Sequence, residues 1–113
     1  MARFVALYRM PPETGPDPEA FLRAYRDTHL PLVLRTPGVT KIEVSRVRRT
    51  VTGEPALLLM AVLHFSDPEF QAAMASPEWA EAGRNLAEIG GLDLVTMFTL
   101  DEPELLDEPP AGG

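Results

Sequence analysis

Residues 17–32 read DPEAFLRAYRDTHLPL, and this stretch carries the strongest structural signal in the chain. As a helix, it places Phe21, Tyr25 and His29 at positions i, i+4 and i+8, which lie on one face. Two large rings and a titratable imidazole then point the same way, and we expect that face to be buried. Pro31 follows and has no backbone N–H, so we expect the helix to bend or end there.

The sequence pattern at the start of this helix occurs three times in the chain. Each copy provides an N-cap oxygen, a proline for the first helical position and an acid for the first turn: Asp17-Pro18-Glu19, Asp67-Pro68-Glu69 and Ser76-Pro77-Glu78. The first two copies lie 50 residues apart, each between apolar strands. The predicted order is a strand at 3–10, a helix at 17–35, strands at 39–49 and 56–65, a helix at 67–89 and a strand at 92–100. The sequence therefore predicts two consecutive β-α-β units.

The connections between these elements carry ordinary turn and stop signals. The segment 50–55 is predicted to be a hairpin connection in which Gly53 takes the turn. The second helical region is predicted to break at Ser76-Pro77 and to continue from Glu78 to Ile89. The pair Gly90-Gly91 then stops it.

The third and fourth strands are apolar on both faces. One face of the third strand carries Leu57, Leu59, Ala61, Leu63 and Phe65, and the other carries Leu58, Met60, Val62 and His64. In the fourth strand, Leu92, Leu94, Phe98 and Leu100 are predicted to oppose Val95 and Met97. Two helices cover only one face of a four-stranded sheet, so a second copy of the sheet is expected to cover the other. The predicted α+β fold is a ferredoxin-like βαββαβ antiparallel sheet with both helices on one face, pairing into a dimeric α+β barrel.

Length and composition indicate one small domain. The chain has 113 residues and no cysteine, which excludes disulfides, thiolate metal sites and a cysteine nucleophile. The first eight residues contain too short an apolar run for a signal peptide, and no apolar run approaches the length that spans a membrane. We therefore expect a cytoplasmic protein without a membrane partner.

The formal net charge of −7 is concentrated at one end of the chain. Residues 101–113 hold five acidic residues among prolines and glycines, and this composition predicts a flexible tail. Residues 1–100, the predicted domain, carry twelve acidic against ten basic residues. The arginines at 46, 48 and 49 fit a strand end, with an anion site as the lesser alternative. No basic face with interleaved aromatics indicates nucleic-acid binding.

An ordered set of segments within residues 3–100 resembles the EthD family of the dimeric α+β barrel superfamily. The segments are Phe21-x3-Tyr25-x3-His29-x-Pro31, Pro37-Gly38-Val39, Phe65-Ser66-Asp67, Ser76-Pro77-Glu78-Trp79 and Val95-Thr96-Met97-Phe98. The resemblance implies a small homodimer with a pocket between sheet and helices. Family members resemble accessories of ether and aromatic degradation or polyketide dehydratases and cyclases. Related barrels include cofactor-free monooxygenases, muconolactone isomerases and, more distantly, haem proteins. Arg26 departs from the family pattern, because many relatives place a tryptophan there.

The family histidine corresponds to His29, and the aromatic residue one turn before it corresponds to Tyr25. We predict that His29 is the catalytic proton shuttle, because an imidazole pKa of about 6.5 allows it to act as a base or an acid near neutral pH. Tyr25 would donate a hydrogen bond to the same substrate oxygen. The alternative is that His29 only caps the carbonyl freed beside Pro31 and orders the end of the helix.

Four further residues are predicted to bind substrate. Tyr8 and Arg9 end the first strand, and Arg9 would meet an anionic group, although a salt bridge at the surface or dimer rim explains it equally well. Met60 suits an adaptable apolar wall and equally an ordinary core. Trp79 either lines the ligand channel or packs against the sheet edge or the neighbouring subunit.

The sequence offers little for a metal or a cofactor. There are two histidines, His29 and His64, without the spacing of a metal-binding pair, and we interpret His64 as a core or interface residue. The glycines form no phosphate-binding pattern. We expect no cofactor, and haem held by one histidine stays a lesser alternative.

Two classes of function remain open at this point. The first is a cofactor-independent enzyme of the cyclase, dehydratase, isomerase or monooxygenase type, acting on a small hydrophobic, aromatic or polyketide-like compound. The second is a non-catalytic binder of such a ligand, or an accessory protein of a degradative oxygenase. The absence of a second titratable residue on the His29 face favours binding, whereas the enzymatic relatives favour catalysis. We favour the enzyme, and a purely structural dimer is a third possibility.

Overall fold

The computed structural model describes residues 2–107. Their order is β1 (Ala2–Arg9), α1 (Pro18–Ala24), a π-helical segment (Tyr25–His29), α2 (Leu30–Leu34), β2 (Val39–Arg46), β3 (Leu57–Phe65), a 3₁₀ turn (Asp67–Glu69), α3 (Phe70–Met74), α4 (Pro77–Glu88) and β4 (Val95–Leu100). This order confirms the predicted double β-α-β arrangement and the α+β class.

The four strands form one antiparallel sheet in the order β2-β3-β1-β4. On the central strand β1, Ala6 pairs with Ala61 of β3 and with Met97 of β4. The connection between β2 and β3 turns at Gly53, whose φ of 98° suits glycine, as predicted. This is the ferredoxin-like topology, with the helices on one face.

The first helical region runs from residue 18 to residue 34, so the helix does not end at Pro31, which was one of the two predicted outcomes. Asp17 caps its start by accepting the N–H of Ala20 at 3.0 Å. Near its middle, the N–H of Leu30 bonds to the carbonyl of Tyr25, which widens the turn to the π-helical i to i−5 pattern. Pro31 then occupies the first turn of α2, where its missing N–H is tolerated.

The second helical region breaks before Ser76, as predicted. The Ser76 hydroxyl caps α4 by accepting the N–H of Trp79 at 3.1 Å. Gly90 ends the helix with a φ of 84°. The predicted cap at Asp67 was wrong: the 3₁₀ turn begins at Asp67 itself, and Ser66 holds the N-cap position.

Two predicted strands are shorter than expected. β4 begins at Val95, so Leu92 and Leu94 precede the strand and do not share a face with Phe98. Leu94 is buried instead, in a turn in which its N–H bonds to the carbonyl of Gly91 at 3.0 Å. Likewise β2 ends at residue 46 and not at 49, where the chain leaves the sheet for the loop.

The hydrophobic core lies between the helices and one face of the sheet. Its largest fully buried side chains are Tyr8, Phe21, Leu59, Phe65 and Leu86. The predicted inner face of β3 is confirmed at residues 59, 61, 63 and 65, which are all buried, whereas Leu57 is half-buried. On the opposite face Leu58 is buried and Met60 is exposed. No helix covers that face, which carries apolar side chains together with His64 and Glu43.

Two further features concern the length of the helices and the end of the chain. Within residues 2–107, no helix combines the length and apolar character needed to cross a membrane. Residues 101–107 are exposed and have no regular structure. The rest of the predicted tail, residues 108–113, lies outside the described residues, and the domain boundary at residue 100 stays a prediction.

Candidate functional site

A cavity of about 90 Å³ lies between the helices and the inner face of the sheet. Tyr25, His29 and Trp79 line it from the helical side, and Phe4, Ala6 and Tyr8 line it from β1. Most of its wall is apolar. The lining residues come from inward-facing positions, which recur every second residue on a strand and every three to four residues on a helix. The polar side-chain groups in the wall belong to Tyr8, Tyr25, His29 and Trp79.

A row of rings in edge-to-face and tilted contact, which we call the column, forms part of the cavity wall. The rings of Tyr8 and Tyr25 lie 5.1 Å apart, centroid to centroid, at an angle of 74°. The rings of Tyr25 and His29 also lie 5.1 Å apart, at 33°. Phe21 supports the column at 5.7 Å from Tyr8. The predicted helix face is thus confirmed, since Phe21, Tyr25 and His29 are all buried.

His29 lines the cavity with an unpartnered ring nitrogen. Its side chain is 6% exposed, and its Nδ1 atom is buried without a hydrogen-bond partner among residues 2–107. Burial lowers the pKa of His29, and the neighbouring Asn85 side chain and Ala82 backbone oppose that shift. The imidazole is therefore neutral at physiological pH.

The two tyrosines are protonated at neutral pH. Burial raises the pKa of Tyr25 to about 12 and raises the pKa of Tyr8 further. The interaction between the two side chains adds to the rise at Tyr8 and opposes it at Tyr25. Each hydroxyl therefore keeps a proton that it can donate.

Trp79 forms a rigid wall at the other end of the cavity. Its ring meets Phe4 edge-to-face at 5.2 Å and Phe65 at 6.1 Å, with planes inclined by 85° and 72°. The cap by Ser76 fixes the first turn of α4 beneath it. Trp79 thus packs against the inner face of the sheet and lines the cavity at the same time.

Two predicted substrate-binding residues lie away from this cavity. Arg9 does not line the cavity: the pairing of β1 with β3 shifts register between Tyr8 and Arg9, and the Arg9 guanidinium donates to the carbonyl of Asp93 at 3.1 Å. Met60 is next to buried Leu59 and therefore lies on the opposite face of the sheet, 38% exposed. The structure does not bring Arg9 or Met60 together with His29.

His64 also lies on the outer face of the sheet. Its Nε2 atom is 2.6 Å from an Oε1 atom of Glu43, and this hydrogen bond lowers the pKa of the Glu43 carboxyl. No group of three or more potential metal ligands occurs among the residues described.

Several cavity residues escaped the sequence analysis. Ala82, Gly83 and Leu86 follow Trp79 at i+3, i+4 and i+7, so the helical period of α4 was the signal that could have found them. Asn85 is different: its Nδ2 atom lies 3.4 Å from a hydroxyl on the π-helical segment, and only the packing of the helices reveals this.

The topology and the pocket beneath the helices define a ferredoxin-like α+β protein. The EthD domain model matches residues 13–88, and the chain belongs to the EthD family. A relative from Rhodococcus erythropolis, described as an uncharacterized 11.0 kDa protein in the thcB-thcC intergenic region, is 30% identical over 106 residues. The match covers 93% of this chain and 99% of that protein.

Solved structures share the fold. An EthD (ethyl tert-butyl ether D) family protein from Bacillus halodurans superposes with a TM-score of 0.77 and 28% identity, covering 91% of this chain and 99% of that one. SnoaB from Streptomyces nogalater, a cofactor-independent oxygenase, has a TM-score of 0.61 and 17% identity over 95% and 97% of the two chains. A dimeric ferredoxin-like protein of unknown function from Jannaschia sp. has a TM-score of 0.61 and 19% identity over 90% and 100%.

Proposed function

We propose that this protein is a cofactor-independent enzyme that moves a proton on a small hydrophobic, aromatic or polyketide-like compound bound in the cavity. The observation that carries the proposal is the buried, unpartnered Nδ1 atom of His29. A buried polar atom without a partner costs on the order of 1–3 kcal/mol. Such an atom can act as a base for a ligand that places an acidic C–H group beside it.

The two helix residues have complementary roles in such a reaction. Neutral His29 removes a proton from a carbon next to a ligand carbonyl, and the electrons of the broken C–H bond move onto the carbonyl oxygen. Tyr25 donates its hydroxyl proton in a hydrogen bond to that oxygen and stabilises the enolate. Return of the proton from His29 to a different atom of the ligand completes an isomerisation.

The fold is compatible with chemistry that needs no cofactor. SnoaB is described as a cofactor-independent oxygenase and shares the topology of this chain. Proton abstraction is also the step that would prepare a ligand for cyclisation or dehydration. A cyclase, dehydratase, isomerase or monooxygenase therefore starts from the same His29 and Tyr25 arrangement.

The test is proton exchange on a simple aromatic ketone. 2-Tetralone has acidic C–H groups next to its carbonyl, and their replacement by deuterium in D₂O can be followed by NMR. We expect the protein to accelerate this exchange and His29→Gln to lose about 100-fold or more of the acceleration. His64→Gln is the matched control, because His64 is the other histidine and lies on the opposite face. Unchanged exchange in His29→Gln would overturn the proposal.

A non-catalytic binder is the second candidate. It is favoured by the composition of the cavity wall, in which His29 is the one described residue that titrates near neutral pH. This function predicts saturable binding of 2-tetralone without accelerated exchange. The affinity would then change little between His29→Ala and His29→Gln.

We also propose that the protein is a homodimer. Met60, Phe98 and Leu100 lie on the face of the sheet that no helix covers, and they are 38%, 39% and 43% exposed. A second copy of the same face would bury them. The dimeric protein from Jannaschia sp. supports this arrangement through its fold. The cytoplasmic location and the absence of a nucleic-acid partner stay predictions.

A further inference from the structure

The cavity exists because small residues face each other across the core. On α4, Trp79, Ala82, Gly83 and Leu86 line the cavity, so two small residues lie between two large ones along one face of the helix. Ala6 lines the sheet side of the same cavity. Larger side chains at these positions would fill the space between helix and sheet.

Gly83 differs from the other small residues because nothing in the described chain requires a glycine there. It lies inside α4 without a positive φ, and a Cβ atom added to it would meet no atom within 4 Å. Glycine inside a helix costs about 0.5–1 kcal/mol relative to alanine. Gly91, in contrast, has no room, since an added Cβ would lie 2.5 Å from Leu86 Cδ1. Gly83 therefore leaves open space beside the cavity, and α4 is less stable than it would be with alanine at this position.

The enclosed space is too small for a complete aromatic ligand. An apolar cavity that binds benzene measures roughly 150 Å³, whereas this cavity measures about 90 Å³. A ligand that places a ring beside His29 must therefore extend through the open side. Gly83 and Met97 are the exposed residues of the wall, so they border that opening.

We infer that Gly83 determines substrate size: the missing side chain forms a slot through which a ligand of two or more fused rings extends from His29 toward solvent. This inference rests on the proposed function and adds the size class of the substrate. The Met97 side chain is flexible and can move aside, whereas the backbone of α4 holds position 83 fixed. A side chain at position 83 would therefore obstruct the larger ligand most.

The experiment compares a one-ring probe with a two-ring probe by isothermal titration calorimetry. We expect Gly83→Leu to weaken binding of 2-naphthol at least tenfold and to weaken binding of phenol less than threefold. Ala87→Leu is the matched control, because Ala87 is exposed one turn later on α4 and does not line the cavity. It is expected to change neither affinity. Gly83→Ala is expected to give a smaller loss for 2-naphthol together with a higher melting temperature.

The possible outcomes distinguish a failure of this inference from a failure of the proposed function. Unchanged 2-naphthol binding in Gly83→Leu, or equal losses for both probes, would overturn the role of Gly83 and leave the His29 site intact. Failure of the unmodified protein to bind either probe would overturn both. The melting temperature of each variant shows that a lost affinity does not come from a lost fold.

Discussion

The rings of Tyr25 and His29 lie 5.1 Å apart, centroid to centroid, and are tilted by 33° at the first and last residues of the π-helical segment. Both rings are on the buried face of a helical region that continues through Pro31. Burial keeps the Tyr25 hydroxyl protonated and holds the pKa of His29 below its ordinary value. A hydroxyl that can donate and a neutral imidazole therefore line the same cavity.

Replacement of Tyr25 by phenylalanine tests the donor. Tyr25→Phe is expected to slow 2-tetralone exchange by about tenfold to 100-fold, because the enolate oxygen loses its hydrogen bond. It also removes the hydroxyl that interacts with Tyr8, which is expected to lower the unfolding free energy by about 1 kcal/mol. Tyr8→Phe is the control, since it keeps the Tyr25 proton. An equal rate loss in Tyr8→Phe would contradict a direct role for Tyr25.

The stability of the protein should depend on pH through His29. Burial holds its pKa below the ordinary value of 6.5 in the folded protein, so the unfolded chain takes up the proton at higher pH. The His29 contribution is therefore fully present above pH 6.5 and is lost as the pH falls toward the lower folded pKa.

Urea denaturation across this pH range measures the effect. His29→Gln is expected to remove this part of the pH dependence, whereas His64→Gln is expected to keep it. Parallel stability curves for the unmodified protein and His29→Gln would show that burial does not shift the histidine.

The uncovered sheet face should control dimer formation. Phe98→Glu is expected to weaken association at least 100-fold, because a dimer would have to bury a carboxylate without a partner. Sedimentation velocity reports the monomer and dimer populations. Val51→Glu is the control, since Val51 is 83% exposed in the loop between β2 and β3 and should leave the dimer unchanged. A monomeric unmodified protein would contradict the proposed dimer.

Replacement by alanine should change the unfolding free energy in opposite directions at Gly91, which follows α4, and at Gly83, which lies within it. Gly91→Ala is expected to lower the unfolding free energy by about 1–3 kcal/mol, because the new methyl group would overlap Leu86 and the ring of Phe21. Gly83→Ala is expected to raise it by about 0.5–1 kcal/mol. Guanidinium denaturation of both variants measures the difference. Similar effects at the two positions would mean that α4 packs differently from this description.

The sequence by itself determined the local structure, because local structure depends on residues that are close along the chain. The caps at Asp17 and Ser76 each act three residues ahead. The spacing of Phe21, Tyr25 and His29 places their side chains on one face of the helical region. These signals were sufficient to predict the order of the elements and the apolar face of that region, and the catalytic roles of Tyr25 and His29 stay a prediction.

Only the tertiary structure decided which side chains share the cavity. The pairing of β1 places Tyr8 in the cavity wall and shifts register before Arg9, while alternation along β3 places Met60 on the outer face. The cavity joins residues of β1, β3 and β4 to residues of the helices, and these elements are far apart in the chain. The lowered pKa of His29 likewise depends on burial by those elements, because the cost of a buried charge is set by everything packed around it.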